Sequence, residues 1–179
     1  ALLSTATIVG ILASSIPAFA EQVVDGRTGQ TTGDVTVNGI IGEFDNTTPG
    51  PNPELTDDWI NVTIPTTALF YTTASSNHEE IVSPTYTITN NSAVGVTTYV
   101  SGVDTPTGMS EIDLLEVNGI ELFENGAPTV SETELFTLQG NQGSTTVGSF
   151  SFTGDASPSN AATELNPSFN LVLRFAPVI

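Results

Sequence analysis

One histidine, His78, and twenty carboxylates are what this 179-residue chain offers to acid–base or metal chemistry. With no cysteine anywhere, thiol catalysis, thiolate zinc sites and disulfide staples are excluded together. His78 lies in Ser-Ser-Asn-His-Glu-Glu at residues 75–80, a polar stretch between two apolar runs. Triad partners are neighbours in space rather than in sequence, so spacing alone does not test it. The chain has no Gly-x-Ser-x-Gly elbow, and His78 reads as a loop residue.

Paired carboxylates can hydrolyse glycosides, but sugar clefts also need stacking platforms. Here Trp59 is the single tryptophan and aromatic residues make up 7% of the chain. Calcium takes carboxylate oxygens from loops, and Asp57-Asp58, Glu79-Glu80, Asp104 and the Glu111/Asp113 pair are the candidates. None has the Asp-x-Asx-x-Asx-Gly spacing, so they read first as surface solvation, with calcium as the weaker alternative and no other cofactor. Asn46, Asn61 and Asn90 each open an Asn-x-Ser/Thr glycosylation pattern. The chemistry-bearing residues therefore point away from an enzyme. Ligand contacts, where they exist, are expected from the loops around Trp59, His78 and Asp104.

Charge narrows the partners further. The twenty acids face only Arg27 and Arg174, and lysine is absent, giving a net charge of −18. Nucleic-acid binding needs a basic face to neutralise phosphates, and anionic lipid headgroups repel such a chain. Lysine-dependent isopeptide or sortase cross-links have no nucleophile. Charged residues are only 12% of the chain, so the surface must be covered by Thr, Ser and Asn rather than by an acidic disordered tail.

The elements that position these residues are strands. Short runs of alternating polarity, bounded by Gly, Pro, Asn and Asp, fall at 34–40, 59–64, 68–72, 85–89, 94–100, 112–117, 120–123, 134–138, 145–152 and 169–175. Alternate side chains of a strand face opposite ways. Phe169, Leu171, Leu173 and Phe175 therefore share one face, with Asn170, Val172 and Arg174 on the other. Asn118-Gly119 between two such runs predicts a two-residue hairpin turn. The pattern predicts an all-β fold, an antiparallel β-sandwich of jelly-roll or immunoglobulin-like type, over residues 59–179.

Upstream lie three segments. Residues 42–58 hold Pro49, Pro51 and Pro53 and read as a linker. Residues 21–41 form an arm whose strand, with Val35, Val37, Ile40 and Ile41, is too small to stand alone and must pair with its own domain or another chain. Residues 1–20 are uncharged and apolar, with small residues at Ala18 and Ala20 before Glu21. That is the pattern of a secretory leader, and it is short for a membrane span. The expected location is therefore secreted, extracellular or at the cell surface, without a membrane association once mature. A retained segment would instead be buried by a neighbouring copy, with residues 1–16 as a second candidate donor strand.

Trp-Ile-Asn-Val-Thr-Ile-Pro-Thr-Thr-Ala-Leu-Phe at 59–70, followed by Ile-Val-Ser-Pro-Thr-Tyr-Thr-Ile-Thr-Asn-Asn-Ser at 81–92, resembles secreted surface proteins of Gram-positive bacteria. The likeness covers about a fifth of the chain, implies a β-sandwich, and carries no catalytic residue. More loosely, the plan of leader, short strand and sandwich resembles the camelysin-like matrix-fibre subunits. That resemblance implies an N-terminal strand completing a neighbour's sheet. The expectation is a non-enzymatic structural subunit of an extracellular filament, pilus or matrix, whose partner is a second copy of itself. The alternative is a monomeric adhesin or carbohydrate-binding module that takes a host or cell-wall glycan or protein.

Overall fold

The computed structural model describes residues 25–35, 39, 41–49 and 57–178. The chain divides into two units, one within residues 1–39 and one spanning Ile40–Val178. In the first, Asp25 caps a single 3-10 turn, Gly26–Thr28, and its carboxylate takes the Arg27 guanidinium at 2.8 Å. No strand forms at residues 30–35, against the expected run at 34–40, and Val35 is exposed. Val37 and Ile40 lie outside the described residues.

The second unit is all-β, antiparallel and sandwich-like. Its strands are β1 (Val62–Thr63), β2 (Tyr71–Thr72), β3 (Glu80–Val82), β4 (Tyr86–Asn90), β5 (Val96–Thr107) and β6 (Ile112–Val117). They continue as β7 (Ile120–Glu124), β8 (Ala127–Pro128), β9 (Thr133–Leu138), β10 (Val147–Phe150), β11 (Phe152–Ala156) and β12 (Ser168–Pro177). Among the described residues every helical element is a 3-10 turn of three residues.

Three ladders result, ordered β1-β4-β10, β2-β3-β11-β6-β7-β8 and β12-β5-β9. The registers show that the first two are continuous. Val62 faces Asn90 and Tyr71 faces Val82, so residues 62–72 and 81–90 form one long hairpin. The hairpin is broken where Ser83-Pro84 interrupts one arm and residues 64–70 leave the other. Pro65 and Pro84 have no N–H to donate, which suits the break. The Ser83 hydroxyl replaces a ladder bond by accepting from Phe152 N at 2.7 Å. The Tyr86 hydroxyl likewise stands in for a strand partner, accepting from Leu69 N at 2.7 Å.

Local turn chemistry fixes the best-formed region. Asn118 and Gly119 both have positive φ, 48° and 80°, and Val117 faces Ile120 across them. The same geometry recurs at Asn125-Gly126 between β7 and β8. Beneath these hairpins Leu115, Val117, Leu122 and Phe123 are fully buried. Each such side chain contributes roughly 1.5–3 kcal/mol of apolar transfer.

The stretch expected to be a linker divides in two. Phe44 lies against Trp59 with ring centroids 4.7 Å apart. The Asn46 side-chain amide donates to Asp58 O at 3.1 Å and Ile60 O at 3.3 Å, and the Asn46 backbone carbonyl accepts from Ala93 N at 2.8 Å. Residues 44–48 are therefore docked on the sandwich, because the turn offers backbone carbonyls that an asparagine amide satisfies.

Candidate functional site: an apolar trough along an edge strand

Among the described residues β12 pairs on one side only, with β5. Its inward side chains Phe169, Leu171, Leu173 and Phe175 pack against the core yet are half-buried rather than enclosed. Across from them runs the segment 64–70 that leaves the hairpin. Between the two lies a cavity of about 410 Å³, floored by Phe150 and Phe152 and lined by Ile64, Phe70 and the β12 face. No charged side chain lines it.

Toward the start of β12 a second cavity of about 510 Å³ shares Leu69, Phe70 and Pro167 with the first. The two form one trough. This farther part is bounded by Tyr71, His78, Glu111, Ile112 and Leu165. Ile64, Leu69, Tyr71 and Leu165 on its walls are large apolar residues left exposed to solvent. A contiguous apolar rim of this kind marks an interaction surface.

A ring stack gives the floor its shape. Phe152 meets Phe150 edge-on at 6.0 Å and Phe169 edge-on at 6.3 Å, and Phe169 meets Phe123 at 5.0 Å. Aromatic pairs favour such tilted contacts. The rings of the floor are thus packed against one another and against Phe123 of the closed core.

Acids order the far wall. Glu111 accepts from Ser159 N at 3.1 Å and from the Ser159 hydroxyl, while Asp113 accepts from the Ser157 hydroxyl. The pair read first as surface solvation, with calcium as the weaker alternative, thus fastens the loop between β11 and β12. Among the described residues no three His, Asp or Glu side chains gather to hold a metal.

The residues singled out in sequence separate. Trp59 is not in a strand and offers no platform: it ends the 3-10 turn Asp57–Trp59 at 1% exposure, its ring covered by Phe44. The gain from burying so large a ring beneath Phe44 outweighs leaving its indole N–H without a hydrogen-bond partner among the described residues. His78 does reach the trough. It is half-buried with φ 61°, and its Nδ1 lies 3.0 Å from the Thr72 hydroxyl. Asp104 does not. It lies within β5 opposite Asn170, exposed and away from the cavity lining, because the ladder with β12 extends to Thr107. From the loop expected around Asp104 it is Gly108 that lines the cavity, together with Glu111, which the sequence offered only as a calcium candidate. Ile41 is fully exposed.

The glycosylation pattern is a hydrogen-bond network instead. Asn90 is 1% exposed and its amide donates to Val94 O and Gln139 O, both at 2.9 Å. The Asn61 amide donates to Asn46 Oδ1 at 3.0 Å. Each nitrogen that would carry a glycan is already committed to the fold.

On the outer face of β12, Arg174 forks onto Glu132 at 2.7 and 2.8 Å and stacks over Tyr99, 4.2 Å from the ring centroid. The hydrogen bonds from Arg174 hold the Glu132 carboxyl below its ordinary range. This cation is thus spent within its own sheet. Comparison with known protein families, curated proteins and solved structures finds no match for the chain.

Proposed function

We propose that this protein is a non-enzymatic, secreted structural subunit of an extracellular filament, pilus or matrix. Copies assemble when an N-terminal strand of one adds to the β12 edge of the next. The observation that supports the reading is the part of the trough without a charged lining, beside a strand that among the described residues is paired on one side only. An added strand would satisfy the outer backbone groups of β12 and cover its half-buried face. Residues 34–41 have the required pattern, with Val35, Val37 and Ile41 on one face and Ile40 on the other. A contact between two different surfaces of identical chains does not close on itself and so extends into a fibre.

The test is light scattering against concentration, in about 0.15 M salt so that the mutual repulsion of highly charged copies is screened. Wild-type protein should polymerise. Val35→Asp/Ile41→Asp and Leu171→Asp should each remain monomeric, since a carboxylate cannot enter an apolar trough unpaired. Growth of these variants at the wild-type rate would defeat the reading.

A second reading, a monomeric glycan- or protein-binding module, is favoured by the convergence of His78 and the Gly108–Glu111 turn on the farther cavity. It predicts a wild-type protein that stays monomeric and a ligand affinity lowered by His78→Ala.

A further inference from the structure

Resting on the strand-addition reading, we infer that residues 44–48 form a rigid shoulder that couples each copy to the next through a joint of two residues, Gly42 and Glu43. The fibre is then stiff rather than a string of beads.

The shoulder is fastened from several sides. Phe44 covers Trp59, and Asn46 bridges Asp58 and Ile60 to Ala93. The Asn141 amide reaches in from a distant loop to Thr47 O. The Asp45 carboxylate closes the turn, accepting from Thr47 N at 2.9 Å, from the Thr47 hydroxyl at 2.6 Å and from the Thr48 hydroxyl at 2.7 Å. All this lies at the end of the sandwich where β12 finishes, since Ala93 N bonds Asn46 O and Val178 N bonds Gly95 O.

Upstream the chain lets go at once. Glu43 and Ile41 are exposed, and between them Gly42 turns at φ +95°, with open space around it. That left-handed conformation favours glycine. Two residues span at most about 7 Å, so a neighbour holding residues 34–41 must sit against the shoulder that presents them. The proline-rich stretch is not the hinge. It connects Thr48 to Asp57, two points on the same copy, and so adds no length between copies.

The experiment inserts Gly-Ser-Gly-Ser between Gly42 and Glu43 in the full chain. Electron microscopy then measures the persistence length of its fibres against wild type. Donor, trough and shoulder are untouched, so the variant should keep the wild-type melting temperature and still form fibres. Those fibres should bend several-fold more easily. Asn46→Ala, which loosens the shoulder itself, should shift flexibility the same way, and the insertion carries the test if that variant folds poorly. Insertion fibres as straight as wild type would overturn the stiff joint while leaving strand addition standing. Absence of fibres from wild type as well would overturn both.

Discussion

Two regions of the sandwich are built from the same residue types and finished differently. Around β6 and β7 the core is closed: Leu115, Val117, Leu122 and Phe123 have no exposed surface, and of the apolar side chains only Leu114 and Ile120 are half-buried. Along β12 the alternation is as regular, yet Phe169, Leu171, Leu173 and Phe175 stay half-covered. The first region has strands on both sides, with β6 lying between β11 and β7. Among the described residues the second lacks its neighbour. Apolar alternation specifies which face turns inward, and only the count of paired edges decides whether that face is finished within one chain.

Truncations on either side should separate these roles most widely. Phe123→Ala removes a ring from the closed region and should cost about 3–5 kcal/mol. Leu173→Ala should cost the monomer only about 1–2 kcal/mol, because its side chain is already partly in water. Urea unfolding of monomeric protein measures both. Equal losses would mean that the β12 flank is as finished as the closed region.

A smaller effect comes from Thr98 on β5, the strand that joins the flank to the interior. Its hydroxyl is buried without a hydrogen-bond partner. Thr98→Val discards that unsatisfied group and should stabilise the protein by about 1 kcal/mol. In calorimetry this corresponds to a rise of about 2–4 °C. A fall in melting temperature would show that the hydroxyl is satisfied after all.

Acid gives the smallest effect. Hydrogen bonds from the Thr47 and Thr48 hydroxyls and from Thr47 N hold Asp45 below its ordinary value of 3.8. A carboxyl lowered on folding stabilises the fold above its unfolded value, and that contribution fades as pH falls through the folded one. The Phe44 shoulder should therefore loosen only in strong acid. Trp59, the single tryptophan, reports it by fluorescence. A transition well above the ordinary aspartate value would assign the shoulder's stability to another group.

What the sequence disclosed followed the range of the interactions. The hairpin at Asn118-Gly119 is local chemistry, legible because both turn residues need positive φ. The 112–117 run is β6 as expected, whereas the single run expected at 145–152 is two strands parted at Ser151. Trp59 reads as the start of a strand until Phe44, fifteen positions upstream, is known to cover it. The shoulder was hidden for the same reason, since Asn46, Asn61, Asn91 and Asn141 are far apart in sequence and meet only in the fold. Of these, Asn46 and Asn61 were visible in the sequence only as members of a glycosylation pattern. Nor could alternation alone reveal the trough, because an edge strand and a central strand share it.

The scarcity of basic residues has a consequence for resistance to proteases. Trypsin-like proteases, which cut after Lys or Arg, are left with Arg27 and Arg174. Arg174 sits in the middle of the β12 ladder, where the extended, unpaired backbone that a protease threads through its cleft is not presented. Arg27 stands on an exposed turn with its side chain 90% accessible, and a nick there leaves residues 34–41 attached to the sandwich. Digestion by such enzymes would trim this protein and leave its proposed donor segment joined to the sandwich.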